Sequence, residues 1–132
     1  MASNSDIYTA LVAALSAIPA LQHGADARVY PTAAPEAAGL PHVVWQQTRR
    51  EPIQAVTGPT GLEEVSFRLD LADKTYGGIV ALRSAVASAV AGMEQLPAVL
   101  SADVSEPQGE GYAQGWDVIV RPLQADFIIS DF

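Results

Sequence analysis

Pro31, Pro35 and Pro41 punctuate the stretch VYPTAAPEAAGLPHVVWQQ, residues Val29–Gln47. Each ring fixes φ, lacks an amide donor, and pushes the preceding residue out of the helical region. An alanine-rich segment that composition alone would assign to helix must therefore run extended over the surface. Beyond Pro41 the chain reads His-Val-Val-Trp-Gln-Gln-Thr, β-branched and aromatic with no breaker. This predicts a strand over His42–Arg50.

The other periodicities are simpler. Ile7, Leu11, Ala14, Leu15 and Ile18 recur at helical spacing, behind a cap at Asn4 or Ser5 and before a stop at Pro19 and Gly24. Ala20–Pro41 is expected to be irregular. Glu51–Gly61, EPIQAVTGPTG, is rich in turn formers and is expected to be a protruding loop. Leu62–Ala72 alternates, with Val65, Phe67, Leu69 and Leu71 on one face and Glu64, Ser66, Arg68 and Asp70 on the other. Asp73 or Thr75 opens a second helix, whose apolar stripe is Tyr76, Ile79, Leu82, Val86, Val90 and Met93. Gly77 and Gly78 sit at its start, and Pro97 blocks its continuation. Val99–Ser105 is a third strand, PQGEGYAQG a glycine-rich turn, and Trp116–Ser130 a fourth strand. In that last strand Pro122 implies an edge position or a bulge. The expected fold is α+β: an antiparallel four-stranded sheet with two helices packed on one face, in the order helix–hairpin–helix–hairpin, forming one domain over residues 1–132.

Charge narrows the function. The formal net charge is −8. Residues 1–93 contribute −2, while residues 94–132 carry seven acids against Arg121 alone, for −6. Binding to a phosphate backbone or to anionic lipid needs clustered Lys and Arg, which this balance opposes. Charged residues make up 17% of the chain, below the usual share of about 25%. The surface must then be largely Ala, Ser, Thr, Gln and Gly, which suits protein contacts. The N-terminus has no basic region, and the apolar run Leu11–Ile18 is too short to span a bilayer. A soluble, untargeted intracellular product with no membrane contact is expected.

No constellation of reactive groups emerges. The chain has no cysteine, so disulfides and thiolate metal sites are absent. His23 and His42 lie far apart without patterned partners, so no metal site is expected. Glu63 and Glu64 are adjacent in a strand and should point to opposite faces, which rules against a paired acid and base. Asp103, Glu106 and Glu110 are too sparse for a calcium loop. Gly58-Pro59-Thr60-Gly61 lacks the Gly-Lys-Ser/Thr and the following helix of a phosphate loop. No catalytic or cofactor-binding residue is assigned, and no enzyme activity is expected. Arg49 and Arg50 are the only consecutive bases. They are either a solvated strand end or an anchor for a neighbouring subunit. Trp45 and Trp116 are core or interface aromatics.

The run Arg28, Val29, Tyr30, Pro31, then Pro35, then Leu40 and Pro41, resembles the opening of tail-completion or tail-terminator proteins of long-tailed phages and gene transfer particles. The likeness extends through the strand Val65–Leu71, the polar–aromatic helix signal Asp73–Tyr76 and the alternating close Leu123–Phe132. Gly77-Gly78 departs from it, since that family favours helix formers there. The resemblance implies a structural virion protein at the tail–neck junction, assembled in the host cytoplasm. It would form a ring, typically hexameric, that caps the tail tube, stops its polymerisation and receives the filled head. The implied partners are further copies of itself, the major tail tube protein and a neck stopper or connector, with DNA passing through the lumen during ejection. In such a ring Tyr30, Arg49, Arg50, Glu51, Thr57 and Thr60 are the candidate interface, and Asp103, Glu106 and Glu110 the candidate acidic lumen. A stopper or adaptor ring, or a small ligand-binding α+β domain, remains the alternative.

Overall fold

The computed structural model describes residues 6–23, 26–32, 39–106, 113–115 and 118–130. Asn4, Ser5, Gly24, Pro35, Glu110 and Trp116 lie outside the described residues, as does most of the glycine-rich turn. The elements in chain order are helix α1 (Asp6–Ser16), a short 3-10 turn (Pro19–Leu21), strands β1 (Gln22–His23), β2 (Asp26–Ala27), β3 (Val29–Pro31), β4 (His42–Ala55) and β5 (Gly58–Asp73), helix α2 (Tyr76–Gly92) with a 3-10 extension (Met93–Gln95), and strands β6 (Val99–Ser105), β7 (Ala113–Gly115) and β8 (Val118–Ser130).

The sheet is mixed, which corrects the antiparallel four-stranded expectation and its helix–hairpin order. Five strands lie side by side in the order β3-β4-β5-β8-β6, and β7 pairs with the far end of β8. β3 runs parallel to β4, with Val29, Tyr30 and Pro31 opposite Val43, Val44 and Trp45. Within the segment expected to be irregular, Val29–Pro31 is instead a strand. Backbone held extended by prolines still carries polar groups that need partners, and the edge of β4 supplies them. Val43 N–H donates to Arg28 O at 3.0 Å, and Thr32 N–H to Trp45 O at 2.9 Å. The connection from Thr32 to Pro41 is close to the crossover length that parallel pairing requires.

Two further corrections concern β4, β5 and β8. The expected loop Glu51–Gly61 is mostly strand: β4 runs on to Ala55 and β5 begins at Gly58, leaving only Val56 and Thr57 as the turn. Its turn formers are used within a hairpin. Gly58 and Gly61 take φ of 128° and 78°, conformations nearly closed to other residues. The register shifts between Pro52 and Gln54, and the Thr60 hydroxyl bridges that irregularity by donating to Ile53 O at 2.7 Å and accepting from Leu62 N–H at 3.2 Å. β8 is central, so Pro122 is not in an edge strand. It lies opposite Asp70 on one side, while on the other β7 pairs only up to Val120 and β6 only from Gln124. The missing donor therefore falls in a gap and costs no ladder bond.

Both helices cover one face. Ile7, Leu11 and Leu15 of α1, and Ile79, Leu82, Val86 and Val90 of α2, pack with Val65, Phe67, Leu69, Leu71, Leu123, Ala125, Phe127 and Ile129 of the sheet. An aromatic row crosses this layer. Tyr8 stacks on Trp45 at 5.7 Å between centroids, Trp45 meets Phe67 edge-on at 6.1 Å, and Phe67 meets Phe127 edge-on at 5.8 Å. Trp45 is thus a partly buried aromatic packed on the core. Thr75 caps α2, its hydroxyl accepting from Gly78 N–H at 3.0 Å. Tyr76, expected in the buried stripe, is exposed. It occupies the first position of the helix, before the stripe turns onto the sheet. By length and composition Tyr76–Gln95 could cross a bilayer, but its stripe is packed against strands.

Candidate protein-interaction surfaces

The face of the sheet that neither helix covers, called the bare face below, is built by the alternation in β5. The side chains of Val65, Phe67, Leu69 and Leu71 enter the core, so Glu64, Ser66, Arg68 and Asp70 must emerge on the opposite side. Register then lines up a polar row across four strands: Arg49 opposite Ser66, Ser66 opposite Asp126, and Asp126 opposite Asp103. At its centre the buried Ser66 hydroxyl donates to Asp126 Oδ1 at 2.6 Å, and Gln124 Nε2 donates to the same oxygen at 2.9 Å. Arg49, Glu64, Ser101, Asp103, Gln124 and Asp126 line a shallow depression of about 360 Å³ there.

Arg49 closes one end of the row. Its guanidinium contacts Glu51 at 2.8 Å and Glu64 at 2.9 Å. Its pKa is raised, first by the hydrogen bond to Glu51 and then by the charges of Glu51 and Glu64. Arg50 points to the other face and meets Glu63 at 2.6 Å. The adjacent acids Glu63 and Glu64 are therefore separated by the pleat, each paired with a different arginine. On the same bare face Arg68 Nε lies 3.0 Å from Asp70.

The second surface is the β4–β5 hairpin tip. Among the described residues, β8 pairs with β5 as far as Leu62 opposite Ser130. The tip beyond it projects by about four residues per strand, roughly 13 Å. Val56 at the turn is fully exposed, and Thr57 and Thr60 are exposed beside it.

The sequence-predicted residues are thus only partly brought together. Arg49 and Glu51 share a face, while Arg50 lies on the other. Thr57 belongs to the tip, and Thr60 turns its hydroxyl onto its own hairpin. Tyr30 sits opposite Val44, roughly 17 Å along β4 from Arg49, with its ring edge-on to His42 at 6.0 Å. Among the acids, Asp103 is exposed on the bare face. Glu106 bonds Arg121, and its Oε1 also lies 2.9 Å from Arg83 of α2. Glu110 falls outside the described residues. Sequence reasoning missed Asp126 and Gln124, whose place beside Ser66 depends on β8 lying next to β5. Glu64 was legible from the alternation.

His42 Nδ1 lies 3.1 Å from Gly39 O, and among the described residues no group of three or more His, Asp or Glu is placed to hold a metal ion. The described residues thus present a polar sheet face whose charges are largely held in mutual pairs, and a projecting hairpin without charge. The family described as "Tail completion protein gp17" matches residues 9–112. The chain belongs to this phage tail-completion family. It is a component of the phage tail that interacts with other tail or neck components, in a family that is typically non-enzymatic. No curated protein matches the chain in sequence.

Proposed function

We propose that residues 1–132 act as one tail-terminator domain. Copies close into a ring, typically hexameric, on the end of the tail tube, stop its polymerisation, and present the surface on which the neck docks. The observation that carries this reading is the presence of unlike exposed patches on one chain: a projecting hairpin without charge and a polar sheet face. Cyclic assembly joins different patches head to tail, and unlike patches are what such contacts need. Each standard contact buries about 800 Å² per partner. Several modest contacts on a tube of matching symmetry act as one multivalent unit.

Excess carboxylate in the C-terminal third suits a bore through which DNA slides, because like charge keeps phosphate from sticking. Asp103 and Glu110 are the residues proposed to face it. Glu106, bridging Arg83 and Arg121, serves first as a clasp between α2 and β8.

Electron microscopy of particles assembled without this protein tests the reading. A terminator's loss gives overlong tails or tails unjoined to heads. Heads that leak DNA beside tails of normal length would identify a stopper or adaptor and overturn the proposal.

A further inference from the structure

We infer that the β4–β5 hairpin tip of one copy seats in the groove between α1 and α2 of a second copy. This contact deepens the ring reading and rests on it.

The groove has a volume of about 640 Å³ and is lined by Ala10, Ala14 and Ala17 of the α1 region and Ala85, Ala89 and Gly92 of α2, among others. It opens on the side of the helical layer away from the sheet. Leu11, Leu15, Val86 and Val90 face the strands and are buried, while the groove side includes the exposed Ala13, Ala17, Ser88 and Gly92. Small side chains keep the trough shallow and wide enough for a two-stranded turn to approach the helix backbones. Among the described residues no charged one lines it.

The hairpin tip matches these properties. Ile53–Gly61, IQAVTGPTG, is a nine-residue run without a charge in a chain of net charge −8. Its turn is held by Gly58 and by the Thr60 bridge, so little order remains to be gained on binding. Val56 at its apex is fully exposed, an arrangement that leaves apolar surface wet until something covers it. Two copies can therefore join tip to groove without burying an unpaired charge.

Tip and groove meet between copies and not within one. The tip projects along the strands past the end of β8, whereas the groove opens on the far side of the helices, so a chain does not reach its own groove. Tip and groove are different patches, which makes the contact heterologous, the kind that closes into a ring.

The absence of native cysteine makes the test direct. Val56→Cys and Ala89→Cys are combined in one chain and oxidised, alone and with tail tube protein, while sedimentation reports the mass of the unmodified protein under both conditions. A disulfide-linked ladder is expected, and a single dimer band when the two single variants are mixed. Val56→Cys paired with Leu100→Cys, on the exposed part of β6, should give no ladder. Assembly without the Val56–Ala89 cross-link, or a cross-link confined to single chains, overturns the contact and leaves the ring reading standing. A protein that stays monomeric in both conditions overturns both. As a second variant, Val56→Asp should raise the concentration needed for assembly about tenfold or more, with an unchanged thermal midpoint. Unchanged assembly of this variant also overturns the contact.

Discussion

The Arg28 guanidinium donates from Nη1 to the Leu40 carbonyl oxygen at 3.0 Å. This one bond joins the two ends of the proline-punctuated segment on which the family likeness rests. A Cβ on Gly39 would lie 2.8 Å from three atoms of that guanidinium, so the glycine leaves the room the arginine occupies. The backbone of Arg28 also accepts from Val43, which places the clasp at the start of the parallel β3–β4 pair.

Removing this clasp should loosen the edge of the sheet. Arg28→Ala is expected to lower unfolding free energy by about 1–2 kcal/mol, measured by urea denaturation. Arg28→Lys should recover little, because an ammonium cannot reproduce the planar fork. Gly39→Ala should be costly in the natural background and nearly neutral when Arg28 is already alanine. Additive effects would show that the two residues are not coupled.

The paired glycines of α2 should respond oppositely to the same change. A Cβ at Gly77 meets nothing within 4 Å, whereas one at Gly78 would clash with Asp73 Oδ2 and lie 3.1 Å from Thr75 Oγ1. Gly77→Ala is expected to stabilise by about 0.5–1 kcal/mol through helix propensity. Gly78→Ala should forfeit that gain, because Asp73 must turn away and lose its bond to Lys74 N–H. Thermal midpoints of the two variants decide the matter, and equal shifts would contradict it.

Phe67 links two of the aromatic contacts and is fully buried. Phe67→Ala should cost about 3–5 kcal/mol from lost transfer and the cavity left behind. Chemical denaturation measures the loss. A cost below about 1 kcal/mol would mean that the row does not support the core.

Reversing charge in the proposed bore should act on DNA and leave folding largely intact. Asp103→Lys combined with Glu110→Lys is expected to slow DNA ejection, or to leave DNA retained in the tail, with tail length unchanged. Ejection kinetics followed by dye release measure this. Natural rates would remove Asp103 and Glu110 from the lumen. Glu106→Lys is expected instead to cost stability by about 0.5–1 kcal/mol, since it sets a third cation beside the partly exposed pair Arg83 and Arg121.

The sequence alone determined the local rules of this protein. Pro31 and Pro41 kept the described residues beside them out of helix, period-two alternation chose the inward residues of β5, and period 3.6 chose Ile79, Leu82, Val86 and Val90. These follow from steric limits and side-chain direction, which act within a few residues. The tertiary structure decided who neighbours whom. β3 lies parallel beside β4, β8 enters between β5 and β6, and Ser66 consequently faces Asp126 across 60 positions of chain. The Glu51–Gly61 turn formers read as a loop because Gly and Pro report local bends, while the long pairing of β4 with β5 is set by hydrogen bonds to a distant partner. Likewise Glu106 read as a loose acid until folding brought Arg83 and Arg121 to it, because charge in a sequence carries a sign but no address.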